Sequence, residues 1–142
     1  MARTKFETLR VYQLSEKLAD LIWDIVVRWD WFSKQTIGKQ IVEASDSIAA
    51  NIAEGVGRYG AQDNKRFAYF ARGSLYETKN WLRRAFKRHL LSEEEVASLK
   101  ALLDELGPRL NTYINSLKVR PPAVSNEPRT TNDDQRTTNK HA

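Results

Sequence analysis

The residues in this chain best equipped for chemistry are cations. Arg72, Lys79, Arg83 and Lys87 recur at intervals of seven, four and four positions, with Tyr76 among them. On a helix of about 3.6 residues per turn that spacing places them along one side. Arg84 and Arg88 extend the cluster toward its C-terminal end. With Lys65 and Arg66, eight cations between positions 61 and 89 stand against only Asp63 and Glu77, a net +6 in a chain whose total is +5. Such a stripe can neutralise phosphates, each contact releasing a condensed counterion, and an aromatic ring within it can stack on an unpaired base. The same charges also fit a solvated helix face whose cationic last turn complements the helix dipole, and for one helix alone that is the simpler reading.

Other chemistries lack their residues. Zero cysteines removes zinc fingers, iron–sulfur sites, thiol catalysis and disulfides. The inward Glu-x-x-His pairs of a di-iron bundle are missing, because His89 follows Phe86 and His141 follows Thr138 at that spacing. No His-Glu-x-x-His, phosphate-binding Gly-x-x-x-x-Gly-Lys or Gly-x-Ser-x-Gly turn occurs. Gly55, Gly57 and Gly60 match the spacing of a dinucleotide fingerprint, but no strand feeds them, so they read as a turn between helices. The expectation is a non-enzymatic protein with no metal or cofactor.

The elements that must carry these residues are all helical. One domain is expected over residues 1–118, followed by a disordered polar tail over 119–142, where three of the four prolines and a repeated Arg-Thr-Thr-Asn replace apolar residues. Four stretches show helical period and none shows strand alternation. The first runs from about Leu9 to Trp29 behind Thr8 as N-cap, and the second from about Gln35 to Val56 with a stripe of Ile37, Ile41, Ala44, Ile48 and Ile52. The third spans about Ala61 to His89, and the fourth about Glu93 to Leu117 after a Ser92/Glu95 capping box. Gly107-Pro108 is expected to kink the fourth helix without reversing it. This fourth helix carries a net −3 and is expected to neutralise its basic neighbour. Helices of this length on short links most simply form an antiparallel up-down four-helix bundle. The opening Met-Ala-Arg-Thr-Lys-Phe-Glu has no signal-peptide core and no stretch is long and apolar enough to span a membrane, so a cytoplasmic protein without membrane contact is expected.

Two segments carry a family resemblance. Residues 44–58, Ala-Ser-Asp-Ser-Ile-Ala-Ala-Asn-Ile-Ala-Glu-Gly-Val-Gly-Arg, and residues 67–77, Phe-Ala-Tyr-Phe-Ala-Arg-Gly-Ser-Leu-Tyr-Glu, follow an opening Phe6-Glu-Thr-Leu-Arg-Val-Tyr-Gln. Over about Phe6 to Leu117 the chain resembles the four-helix bundle proteins related to the 23S ribosomal RNA intervening sequence protein, the S23 ribosomal protein family. It departs from many relatives in having Val42 and Glu43 where they carry basic residues. The resemblance implies an antiparallel bundle, often a ring-like homopentamer, without established catalysis. Distant relatives are accessory proteins of diversity-generating retroelements that bind a reverse transcriptase and nucleic acid. A ring would multiply a modest basic stripe by avidity, which brings RNA or DNA binding ahead of the solvated-face reading. The rival is a protein–protein adaptor.

The motif residues Asn51, Glu54, Gly55, Arg58 and Ser74 cluster around one predicted turn. Structurally, Asn51 is expected to hydrogen-bond across to the third helix, and Glu54 to pair with a cation there or cap free N–H groups. The functional alternative is a small anion site formed by Arg58 and the glycine turn. The aromatic residues, including Trp23, Trp29, Trp31, Trp81 and Phe32, exceed what one small core encloses, which leaves two readings: an oligomer interface or an ordinary core edge.

Overall fold

The computed structural model of the chain describes residues 5–119; the tail expected beyond them lies outside the described residues. A short turn of 3-10 helix, Phe6–Thr8, precedes α1 (Arg10–Val26). Then come α2 (Trp31–Ser33), a π-helical turn (Lys34–Gly38), α3 (Lys39–Val56), α4 (Ala61–Lys87) and α5 (Glu93–Ser116). Among the described residues every regular element is helical.

The expected core stripes are buried. Leu14, Leu18, Ile22 and Ile25 of α1 meet Ile41, Ile48 and Ile52 of α3, Ala71 and Leu75 of α4, and Leu99, Leu106, Leu110 and Ile114 of α5 in one apolar cluster. Each full burial of such a side chain is worth about 1.5–3 kcal/mol, so these stripes hold the helices together. Of the four buried hydroxyls among the described residues, those on Ser15, Ser45 and Thr78 each donate to a carbonyl three or four residues back on their own helix, and that on Ser33 donates to the Asp30 carboxylate. That arrangement satisfies them without a partner across the core.

Helix ends differ from expectation for local reasons. Thr8 is not the cap of α1: the helix starts at Arg10 behind an extended Leu9, and the Thr8 hydroxyl donates to the Lys5 carbonyl at 2.7 Å. Trp29 falls outside α1, which ends at Val26. Its indole N–H instead donates to the Leu90 carbonyl at 3.0 Å, tying the α1–α2 link to the α4–α5 link. The second helical stretch starts four residues before Gln35, because the Asp30 carboxylate accepts both the Ser33 amide and hydroxyl, at 3.0 and 2.7 Å. These two bonds hold the Asp30 carboxyl below its ordinary pKa. The π turn then carries the chain into α3 with its junction residues Ser33, Gly38 and Lys39 all in right-handed helical conformation. At Gly38 a Cβ would lie 2.8 Å from Val26 Cγ1, so its absence lets α1 approach closely.

The third helix stops at Lys87, two residues early. His89 adopts φ 60°. Its N–H reaches Phe86 O and the N–H of Leu90 reaches Ala85 O, at 3.1 and 3.0 Å, a Schellman C-cap with histidine where glycine is usual. The Ser92/Glu95 capping box forms as expected, with bonds of 3.1 and 2.8 Å. From there α5 passes through Pro108 and continues to Ser116.

Adjacent helices meet in a consistent order. Arg10 of α1 meets Glu105 of α5, and Arg28, two residues past the end of α1, meets Glu95 of α5. Asn64 meets Tyr113 and Arg72 meets Asn111 between α4 and α5. Asn51 meets Ser74, and Gly55 meets Asn64, between α3 and α4. In each pair the numbers rise on one helix as they fall on the other.

Candidate nucleic-acid interface

On α4 the buried residues Ala68, Ala71, Leu75, Thr78, Leu82 and Ala85 define the inward side. At about 100° per residue, Arg72, Tyr76, Lys79, Arg83 and Lys87 fall together on the flank nearest α5. The structure therefore brings these five into one row. Arg84 and Arg88 lie about a quarter-turn further round, away from that row. Arg88, the C-cap residue of α4, shares a shallow depression of about 430 Å³ with Phe32, Thr36 and Leu90.

Aromatic rings alternate with the cations. The Arg72 guanidinium stands 4.9 Å from the Tyr69 ring centroid and donates to Asn111 Oδ1 at 3.4 Å. Lys79 Nζ stands 5.5 Å from the Tyr76 centroid. Lys79 and Arg83 then border an open groove of about 350 Å³ between α4 and α5, whose lining includes Leu82, Phe86, Leu99 and Leu103. Tyr76 and Phe86 are exposed, by 62% and 54%.

The expected neutralisation by α5 does not occur through direct pairs. Its acids turn elsewhere: Glu95 meets Arg28 at 3.5 Å, Asp104 meets Lys100 at 2.6 Å, and Glu105 meets Arg10 at 2.9 Å and Arg109 at 3.2 Å. The Arg10 contact holds the Glu105 carboxyl below its ordinary pKa. The physical reason is local: Glu95 and Glu105 reach cations on or just after α1, and Asp104, although it borders the α4–α5 groove, is taken by Lys100 four residues earlier on α5. Consequently Arg72, Lys79, Arg83, Arg84, Lys87 and Arg88 have no carboxylate within ion-pair distance among the described residues. Asp63, an acid of α4, is taken by Arg66 at 3.3 Å.

The glycine-turn motif has a structural role. Asn51 Nδ2 donates to Ser47 O at 2.9 Å and reaches Ser74 Oγ on α4 at 3.5 Å, the expected cross-helix contact. Glu54 does not pair with an α4 cation or cap backbone N–H groups. It accepts from Arg58 at 2.8 Å, four residues on, where helical spacing puts the nearest cation. The Arg58 guanidinium also lies 4.6 Å from the Phe67 centroid. With a carboxylate and a ring already on it, Arg58 is not a free cation for the alternative anion site. A Cβ on Gly55 would lie 2.7 Å from Asn64 Oδ1 and 3.1 Å from the Asn64 carbonyl, so glycine is needed for the close approach of α3 to α4.

Sequence reasoning missed Lys65, Tyr69 and Phe86 as parts of the flank. Lys65 continues the row by the same seven-residue step that separates Arg72 from Lys79, a signal that was available. The α5 contribution of Leu99 and Leu103 was not readable without knowing which helices pack together. Among the described residues no group of three or more His, Asp or Glu side chains is placed to hold a metal ion. No described helix is long and apolar enough to cross a membrane.

A helical protein with an unneutralised basic flank is thus the class that fold and site define. Residues 7–112 match the family model for the 23S rRNA-intervening sequence protein, and the chain belongs to that family. It is similar in fold to a crystal structure of a protein of unknown function from the S23 ribosomal protein family of Bacteroides thetaiotaomicron. That likeness has TM-score 0.65 and 23% identity, and covers 73% of this chain and 97% of the other. No curated protein matches the sequence.

Proposed function

We propose that the chain is a non-enzymatic antiparallel up-down four-helix bundle that self-associates and binds RNA or DNA through the flank of α4. The descending order of contacts between adjacent helices supports that topology. One observation carries the binding reading: six cations on or just past one helix have no carboxylate partner among the described residues. A solvated face tends to interleave its charges with acids, whereas an anion-binding face keeps its cations available. Arg72, Lys79, Arg83 and Lys87 supply a row of phosphate contacts, and Arg84 and Arg88 widen the positive field. The cytoplasm is where such a subunit would meet RNA or DNA.

Titrating salt in an equilibrium binding assay with a labelled oligonucleotide tests this. Four phosphate contacts predict that log K falls with log salt at a slope of about −3 to −4. Absence of binding at low salt overturns the reading. The alternative is an adaptor or accessory subunit, for example of a reverse transcriptase, and it draws on Trp31 and Phe32, 73% and 69% exposed, and on Trp23. Exposed aromatics of this size are enriched where proteins meet. Family resemblance favours a homopentamer as one such use of them, and light scattering on the full chain measures the subunit number.

A further inference from the structure

We propose that the groove between α4 and α5 receives an unpaired base, so that the protein selects single-stranded RNA or DNA over a duplex. The inference rests on the nucleic-acid reading above and adds the form of the ligand. Its basis is the way one opening combines two kinds of surface. The lining is apolar on both sides, Leu82 and Phe86 from α4 and Leu91, Val96, Leu99 and Leu103 from the residues after it. At the border stand Lys79 and Arg83, together with Lys100 and Asp104 of α5, which also line the opening and offset each other as an ion pair at 2.6 Å. At about 350 Å³ the opening is larger than a nucleobase.

A duplex keeps its bases stacked inside and offers this surface only phosphates. Against a duplex, the apolar lining and the exposed Phe86 ring would go unused. A single strand offers a base and its flanking phosphates together, and that combination matches the groove: apolar surface for the base, with Lys79 and Arg83 one helical turn apart for the backbone. The Tyr69/Arg72 and Tyr76/Lys79 pairs continue the alternation of ring and cation along the same flank. Every base has a π-face, so this selectivity concerns strandedness and not sequence.

The test compares one fluorescein-labelled 20-nucleotide RNA with the blunt duplex formed from it, by anisotropy at fixed salt, using the full chain and Phe86→Ala. Because Phe86 is exposed, the variant retains the fold, which thermal melting by circular dichroism verifies. The expected result is tighter binding of the single strand by tenfold or more. Phe86→Ala is expected to remove about fivefold or more of the single-strand affinity. It leaves duplex affinity within about twofold and the salt slope unchanged, because no charge is lost. Equal binding of both forms with no effect of Phe86→Ala overturns the inference and leaves the charge-based reading standing, the groove then being free for an apolar segment of a protein. Failure of both forms to bind at low salt overturns the underlying reading as well.

Discussion

Asn51 illustrates how much of the polar chemistry at the α3–α4 turn serves the fold. Its amide holds one bond within α3 and one across to Ser74, in a half-buried position where an unmet polar group is costly. Asn51→Ala is expected to lower stability by about 1 kcal/mol in urea unfolding. An unchanged midpoint would argue that Asn51 is kept for something other than packing. A second residue-scale effect has the opposite sign. Loss of hydration, and then the nearby Asp20 charge, raise the Asp46 carboxyl above its ordinary pKa. A carboxyl raised on folding favours the native state when protonated and opposes it when ionised, so its cost is present above the folded pKa and disappears as pH falls below the unfolded value, about 3.9. Asp46→Asn should therefore raise the melting temperature at pH 7, with the gain over wild type shrinking as pH falls through the carboxylate range.

Among the elements, α4 ends on a residue poorly suited to its conformation. His89 pays for a left-handed φ of 60° that glycine adopts freely, with the Schellman bonds on either side requiring it. His89→Gly is expected to stabilise the protein by about 1 kcal/mol, measured as a shift of the urea midpoint at constant slope. Loss of stability would mean that the imidazole makes a contact worth more than the strain. The element level was also where the sequence was most legible. The four periodic stripes and the Ser92/Glu95 box were readable because they depend on side chains three or four positions apart. Thr8 and Trp29 misled because each is used by tertiary geometry, Thr8 inside the preceding turn and Trp29 as a bridge to Leu90. Asp30, which falls between the expected first and second helices, starts the second through its bonds to Ser33.

At the scale of the whole molecule, charge is distributed by partner and not merely by count. The row of cations was legible from spacing, but its lack of direct ion pairs was not, because net charges of +6 and −3 on neighbouring helices look mutually compensating until the partner of each carboxylate is known. Arg83→Glu with Lys87→Glu is expected to weaken nucleic-acid binding by at least tenfold at low salt and to flatten the salt slope by about one to two units. Both positions are exposed, so the melting curve should hold, and a preserved affinity would move the binding surface elsewhere. The groove beside this row was illegible for a different reason: its lining joins residues of α4 to residues of α5, and only the packing of the two helices brings them together.

Lys79, Arg83 and Lys87 follow one another at four-residue steps, and like charges so placed repel by about 0.2–0.5 kcal/mol per pair. Added electrolyte screens that repulsion. The unliganded protein should therefore melt at a higher temperature as salt is raised, while the same salt should weaken the proposed binding of an anionic ligand. On the proposed binding of a polyanion, the ligand would relieve this repulsion, and at low ionic strength it should raise the melting temperature most under the conditions where the free protein is weakest.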